Sequence, residues 1–311
     1  VVAPPPPPFF GCGVSSTQPP TTVSLPADVA ILTNITPDHL DRYPSYADYA
    51  ASKFRIFASS RPHCRAILSA GDPETRARAA WWPAAPWLFG HDLGGWPGAR
   101  IDGRRIVLTP AVTGREEVYD LAGTPLATGP NPANAAAAIL AARALGCPPA
   151  AVCQGLAAFV PLGHRLGLVA EVAGVRYYDD SKATNIGAVQ AALATLAEPV
   201  VLIAGGRGKG GDYHLLDELI RRRVKALVLV GEARFEMRAA WEHLVPVAMA
   251  TDLPAAVEQA AALARPGDAV LLSPACASFD MFSSYSHRGE VFRQAVAGLV
   301  ARAEGEPCGS F

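Results

Sequence analysis

The sequence predicts an α/β protein built from two sheet-containing units, the second of them doubly wound. Three observations carry that expectation. From residue 29 onward, short runs of aliphatic and aromatic residues alternate with stretches of helical periodicity. The chain has 311 residues, 50% of them hydrophobic, which is enough apolar material for two cores. In the second half, three predicted strands run directly into turns rich in Gly, Ser, Asp and Lys. Open α/β sheets bind ligands at that edge.

Taken in order, residues 1–22 open with a run of five prolines, which favours polyproline II over sheet packing, and read as disordered or degenerate. The first unit spans 23–160. A short apolar strand over 29–35 has the character of one buried on both faces of a parallel sheet. A helix follows over 45–57, a strand over 65–69, a helix over 72–80 and a strand over 86–89. Residues 96–118 read as a strand pair with turns at Asp102-Gly103 and Thr113-Gly114. Helices are expected over 131–145, ended by Gly146 and two prolines, and over 150–158. Val160-Pro161-Leu162-Gly163 reads as a hinge. Beyond it the second unit, 161–311, restarts the alternation: strands over 168–172 and 175–178, then strands near 200–204, 226–230, 247–249 and 269–272. Helices separate these four strands, and a last helix starts at Gly289.

Composition narrows the function. The formal net charge is −1, with 27 basic and 28 acidic side chains, and there is no arginine-rich arm or zinc-finger spacing. Nucleic acid is therefore not an expected partner. No apolar run reaches membrane-spanning length, and the longest candidate, 134–145, is alanine-rich. The six cysteines, Cys12, Cys64, Cys147, Cys153, Cys276 and Cys308, form no C-x-x-C pair. Reduced thiols in a cytoplasmic, monomeric protein are the expectation.

Four stretches carry candidate chemistry. Thr36-Pro37-Asp38-His39-Leu40-Asp41 follows the first strand, and an imidazole among carboxylates there suits a metal ion or an oriented water; the plainer alternative is a helix N-cap beside a surface His. Asp179-Asp180-Ser181-Lys182-Ala183-Thr184-Asn185 lies between a strand and a helix, where carboxylates, an ammonium and hydroxyls crowd an N-terminus that favours anions. Leu202-Ile203-Ala204-Gly205-Gly206-Arg207-Gly208-Lys209-Gly210-Gly211 is a strand leading into a glycine-rich turn. Gly206, Gly208 and Gly211 fit G-x-G-x-x-G, and Glu232 ends the following strand, so an NAD-dependent oxidoreductase is one alternative. The late position of this match and the Lys within it count against that alternative. Ser273-Pro274-Ala275-Cys276-Ala277-Ser278 follows a further strand. Cys276 would need a base such as His287 to act as a nucleophile, and nothing in the sequence lowers its pKa. Lys53, on the first helix, reads by itself as a solvated lysine.

Together these stretches resemble the Mur ligase family, and within it the D-glutamate-adding branch. The resemblance rests on Asn34-Ile35-Thr36-Pro37-Asp38-His39-Leu40-Asp41-Arg42-Tyr43, Asn131-Pro132-Ala133-Asn134, His164-Arg165, the 180–185 stretch, Gly205-Gly206 with Lys209, and the 273–278 stretch, all in family order. It implies part of a P-loop-ATPase-like central domain followed by a Rossmann-like C-terminal domain. It implies an ATP- and Mg²⁺-dependent ligase of peptidoglycan precursor synthesis. Such an enzyme joins D-glutamate to UDP-N-acetylmuramoyl-L-alanine through an acyl phosphate. By position, His39 would be a Mg²⁺ ligand, Lys53 a carbamylated lysine that also faces the metal, and Lys182 a third catalytic group. Asn134, Arg165, Asp180 and Lys182 would face the nucleotide. Thr184, Lys209, Ser278 and Tyr285 would hold D-glutamate.

The sequence also departs from the family pattern. No G-x-x-x-x-G-K-[ST] loop occurs in it, and the UDP-binding domain is missing. Gly13, Pro130 and Gly167 stand where the family has Glu, His and Glu. A truncated chain with weak or no ligase turnover is therefore expected, and a non-catalytic module that binds nucleotide or amino acid is the second alternative. The spatial expectation is that Lys182 and Lys209 share one rim of the second sheet, facing His39 and Lys53 across a gap.

Overall fold

Two six-stranded sheets organise the chain in the computed structural model, which describes residues 11–13, 26–37, 42–58, 61, 63–82 and 85–305. The expectation for 1–22 falls almost wholly outside these residues, and His39 lies outside them too.

The first sheet contains β1 (Val29–Leu32), β2 (Arg65–Ser69), β3 (Trp87–Gly90), β4 (Gly98–Asp102), β5 (Arg105–Leu108) and β6 (Glu117–Asp120), paired in sequence order. β1 to β4 run parallel, and β5 and β6 are antiparallel. Helices α1 (Tyr46–Ala58) and α2 (Pro73–Ala79) cover one side of the sheet. The alanine-rich α4 (Asn131–Ala144) covers the other, and α5 (Pro149–Ala157) packs against α4. Small side chains at Ala135, Ala136 and Ala137 let α4 lie close to the strands, with Ile139 and Leu140 filling the space beyond.

β1 pairs in parallel with β2 at the edge of the described sheet and is covered on both faces, Leu32 clustering with Tyr49 and Ala50 of α1 and Val29 and Ile31 packing against the cluster that holds α4. One expectation is corrected here. Residues 96–118 hold β4, β5, a one-turn helix α3 (Pro110–Thr113) and the start of β6 instead of a simple strand pair. The Gly103 turn forms as expected, in the left-handed conformation that glycine allows.

The second sheet has the order β11-β10-β9-β12-β8-β7. Its strands are β7 (Gly167–Val172), β8 (Val175–Asp179), β9 (Val200–Gly205), β10 (Val224–Val230), β11 (Val247–Met249) and β12 (Ala269–Leu272). All neighbours are parallel except β7, which forms an antiparallel hairpin with β8 at one edge. Helices α6 (Ile186–Thr195), α7 (Asp217–Arg223) and α8 (Arg234–Trp241) bury Leu193, Ile220 and Trp241 against one face. Helices α9 (Leu253–Leu263) and α10 (Tyr285–Gly305) bury Val257, Phe292 and Val296 against the other. That is the doubly wound arrangement. The helix expected from Tyr213 begins as a 3₁₀ turn, Tyr213–Leu216, before α7. The last helix starts at Tyr285, four residues before Gly289.

The topology decides where ligands fit. From β9 the chain winds outward through β10 and β11, then returns to place β12 on the other side of β9. The crevice beyond the carboxyl ends of β9 and β12 is therefore the switch point of the sheet. The glycine-rich turn follows one of these strands and the 273–278 stretch follows the other. The first sheet reaches the same region through the segment after β1. Asp72, the N-cap of α2, accepts a hydrogen bond from Thr75 N at 2.9 Å and another from Ile35 N at 2.7 Å, fixing the chain as it leaves β1. Thr36 then packs against Gly187 in the first turn of α6, where an added Cβ would lie 2.9 Å from the Thr36 hydroxyl.

Candidate functional site

The site is built from three loops at the carboxyl edge of the second sheet. The first leaves β8. Asp179 is fully buried and accepts hydrogen bonds from His164 Nδ1 at 2.7 Å, Arg293 Nε at 2.8 Å and Ser181 N at 3.0 Å. Asp180 accepts from Leu166 N at 3.1 Å and from the Ser273 hydroxyl at 2.9 Å. Burial pushes the Asp180 carboxyl up to about 7; the charge of Asp179 adds to the rise, and the two hydrogen bonds and the Arg165 charge oppose it. Lys182 N donates to His164 O at 3.0 Å, and the Lys182 ammonium lies over the Tyr285 ring, 3.9 Å from its centroid. Asn185 then caps α6, accepting from Ala188 N at 2.9 Å.

The second loop is the glycine-rich turn, and it is pinned. A Cβ at Gly206 would lie 2.3 Å from Ala277 O, and φ there is +132°, so only glycine fits. Arg207 and Ala277 exchange two backbone hydrogen bonds, of 2.9 and 3.0 Å. The Arg207 guanidinium grips Glu232 with two bonds of 3.0 Å each.

The third loop follows β12. Ser273 and Ser278 are both buried, and Cys276 lies against Tyr213 with Sγ 3.4 Å from the phenol oxygen. Burial pushes the Cys276 thiol up to about 11. His287 engages Ser283 instead of Cys276. A nucleophilic Cys276–His287 pair is thus excluded by geometry and by the protonated state of the thiol at neutral pH.

One side chain joins the loops. Arg288 is 3% exposed. Its Nε donates to the Ser181 hydroxyl at 3.0 Å, and its Nη2 donates to Ser181 O at 2.9 Å and to Cys276 O at 3.1 Å. Its Nη1 donates to Ala277 O at 3.3 Å. Burial lowers its pKa to about 10, which leaves it charged at neutrality. Arg288 immediately precedes the helix start expected at Gly289, and no motif in the sequence singles it out. A signal was available: 288, 292 and 296 fall at helical spacing, and the other two are Phe292 and Val296 of the core, so an arginine begins a buried stripe.

Thr184 and Lys209 line one cleft, with Asn185, Ile186, Gly211, Tyr213, Ala275 and, from the segment after β1, Pro37. Groups from both sheets therefore meet there. Lys182 and Tyr285 pair with each other beside this cleft without lining it, and Ser278 is buried behind its third loop. Arg165 is exposed and acts electrostatically on Asp180. Asn134 is exposed in the first turn of α4, on the first sheet. Lys53 is half-buried on α1, its ammonium 5.4 Å from the centroid of the Tyr49 ring.

Residues 14–142 match the Mur ligase middle domain, and residues 164–276 match the Mur ligase glutamate ligase domain. The chain belongs to the Mur ligase family. The Mur ligase chain is 45% identical over 280 residues to the UDP-N-acetylmuramoylalanine--D-glutamate ligase of Anaeromyxobacter dehalogenans (strain 2CP-C), covering 86% of this chain and 60% of the relative. It is 43% identical over 271 residues to the protein of the same name from Desulfotalea psychrophila (strain LSv54 / DSM 12343), covering 87% of this chain and 58% of that one. The chain thus spans about three fifths of the length of these curated relatives. The fold matches a pseudomurein peptide ligase type C from Methanothermus fervidus with a TM-score of 0.66 at 16% identity, over 88% of this chain and 63% of that chain. It also matches the MurF ligase from Thermotoga maritima in complex with ADP, with a TM-score of 0.62 at 20% identity, over 89% and 64% of the two chains.

Two groups that the family implies can be tested against this Mur ligase geometry. Among the described residues no three His, Cys, Asp or Glu side chains converge on a common point; Mg²⁺ is commonly held by one or two protein groups together with substrate phosphates, and the expected ligand His39 lies outside the described residues. For a nucleotide, Arg165 and Lys182 on the second sheet offer cationic groups of the type that phosphate takes, and Asn134 on the first sheet carries an exposed amide. The dinucleotide alternative fares differently from what sequence position suggested. The turn after β9 does lie at the switch point, although it comes late in the chain. Its ribose-binding acid, Glu232, is instead occupied by Arg207, and Gly206 is covered by Ala277.

Proposed function

We propose that this chain supplies the D-glutamate-binding part, and the adjoining nucleotide contacts, of a ligase that adds D-glutamate to UDP-N-acetylmuramoyl-L-alanine in cytoplasmic peptidoglycan precursor synthesis. The observation that carries the reading is the convergence of Thr184 and Lys209 on one small cleft, which Pro37 from the first sheet also lines. Family membership and the 43–45% identity to proteins named D-glutamate ligases support that choice of substrate. The working boundaries are 23–160 for the central domain and 161–311 for the C-terminal domain.

The roles follow from chemistry. The Lys209 ammonium and Thr184 hydroxyl complement the carboxylates of a small acidic amino acid. Lys182, held over Tyr285 and anchored by its own N–H on His164, is a preorganised cation facing phosphate. Asn134 and Arg165 hold the rest of the nucleotide, and Asp180 orients the loop that carries Lys182. Ser278 and Tyr285 shape the wall of the amino-acid site. ATP would supply the phosphoryl group that activates the alanyl carboxylate of UDP-N-acetylmuramoyl-L-alanine as an acyl phosphate, leaving ADP, and the D-glutamate amine would then displace phosphate to form the amide. His39 and Lys53, the latter as its carbamate, remain the proposed Mg²⁺ ligands from the first sheet, and no step is derived through that ion.

Calorimetric titration with D-glutamate in the presence of ADP tests the reading. Lys209→Ala should weaken D-glutamate binding by about tenfold or more, the loss expected for a hydrogen bond to a charged group, and L-glutamate should bind less tightly than D-glutamate. Equal binding of both enantiomers by the wild-type chain and by Lys209→Ala would overturn it. Because the 311 residues contain no G-x-x-x-x-G-K-[ST] cradle, full substrates should yield phosphate only slowly. Phosphate release at an ordinary ligase rate would contradict that part of the reading.

A further inference from the structure

Tyr285 does not line the cleft that holds Thr184 and Lys209, although the family resemblance sets it beside D-glutamate. It starts α10, and its ring turns toward the first loop instead. Lys182 Nζ sits 3.9 Å from the ring centroid, well inside the outer limit of about 6 Å for a cation over an aromatic face. The His164 ring meets the same phenol ring edge to face, with centroids 6.2 Å apart and planes at 78°.

Each member of this group is fixed. Tyr285 O accepts from the Ser181 hydroxyl at 2.8 Å, and that hydroxyl accepts in turn from Arg288 Nε at 3.0 Å. His164 is held by its 2.7 Å bond to Asp179. A Cβ at residue 289 would lie 2.1 Å from His164 Nδ1, so Gly289 is what lets α10 bring Tyr285 against that histidine. The backbone of Lys182 is anchored on the same residue, through its N–H to His164 O at 3.0 Å. A lysine stem is long and flexible, and without a partner its ammonium would sweep a wide arc. Among the described residues no carboxylate pairs with Lys182, and the ring face is what its ammonium meets. The difference matters for an anion site. A carboxylate would fix the ammonium and cancel its charge. An aromatic face fixes it through the ring quadrupole and leaves the full charge for an incoming phosphate.

We propose that Tyr285 is a positioning residue of the nucleotide site: its ring face holds the Lys182 ammonium ready for phosphate without neutralising it. The proposal rests on the nucleotide reading of Lys182 given above, and it moves the main work of Tyr285 from the amino-acid side to the nucleotide side.

Calorimetric titration of the full chain with ADP tests it. Tyr285→Leu should weaken ADP binding by about threefold or more, and Tyr285→Phe, which keeps the ring face, should bind as the wild type does. In a Lys182→Met background, Tyr285→Leu should change ADP affinity by less than about twofold, because the effect runs through the ammonium. Phenylalanines carrying progressively more ring fluorines, placed at 285, should weaken ADP binding stepwise. Fluorine drains the negative face of the ring at nearly constant shape, so a ring that only filled space would show no such order. The fluorinated series keeps the ring and decides the matter by itself if Tyr285→Leu does not fold. ADP affinity that stays level along that series, or an equal loss from Tyr285→Leu with and without the Lys182 ammonium, overturns the proposal alone. A wild-type chain that binds no ADP overturns the nucleotide reading, and the proposal with it.

Discussion

Replacing Arg288 should unfasten the second and third loops of the candidate site from the first. The guanidinium is 3% exposed and makes four hydrogen bonds, three of them to backbone carbonyls. Arg288→Ala leaves the carbonyls of Ser181, Cys276 and Ala277 without this donor and opens a cavity in the rim. Each stranded acceptor costs about 1–3 kcal/mol, and the terms overlap because the loops relax together. A loss of about 3–5 kcal/mol is therefore expected, which for a unit of this size lowers the midpoint by about 10 °C. Arg288→Met restores volume and removes a buried charge, so it should lose less than alanine. Arg288→Lys keeps the charge but offers a point donor in place of a planar fork, and should lose about 2 kcal/mol. Urea unfolding followed by far-ultraviolet circular dichroism reads the series, with Ala worse than Met and Met worse than Lys. A loss below about 1 kcal/mol for Arg288→Ala, or a Lys variant as poor as the Ala variant, would refute the reasoning.

Three further outcomes are expected. Asp180 has a folded pKa of about 7, above its ordinary 3.8, so the folded state takes up a proton; its stabilising contribution is complete below 3.8 and is lost as pH rises to 7. Thermal melts should thus show stability falling across that window by on the order of 4 kcal/mol at most, and Asp180→Asn should flatten the fall; an unchanged pH slope in the variant would contradict this. Cys276 should resist iodoacetamide at pH 8 in the folded chain while exposed Cys12 and Cys153 react, as mass spectrometry of the alkylated peptides would show. In the first sheet, burial would raise the Glu117 carboxyl, but two hydrogen bonds from Arg143, at 2.9 and 3.0 Å, and one from the Tyr119 hydroxyl hold it below the ordinary range. Arg143→Met should cost about 3 kcal/mol at pH 7 and much less once the pH falls below the ordinary glutamate range, where the wild-type advantage is itself lost; equal losses at both pH values would count against the pair.

How far the sequence revealed this arrangement depends on the range of the interactions involved. Helices α1, α2, α4 and α6 are within about two residues of expectation because their signals are local: Asp72 and Asn185 as N-caps, and apolar spacing along one face. The edge position of β1, the antiparallel turn of β7 onto β8 and the extra strand within 96–118 depend on pairing partners that a linear pattern does not name. The same division runs through the site. Lys182, Thr184 and Lys209 were legible from their place after strands, and the structure brings the last two into one cleft. Arg288 and Asp179 act between segments about a hundred residues apart, Arg288 on Ser181 and Asp179 on Arg293, and only the packed sheet shows why they matter. The dinucleotide pattern shows the converse: local spacing satisfied the motif, and the fold then committed Glu232 to Arg207.

Hydrogen exchange of the chain with ADP and D-glutamate, compared with ADP and L-glutamate, tests most directly whether one rim of the second sheet forms a stereospecific amino-acid site. The account predicts slowed exchange within 181–186, 207–213 and 273–278 for the D enantiomer, with little change for the L enantiomer. Identical patterns for both enantiomers, or protection confined to segments away from these three loops, would contradict it.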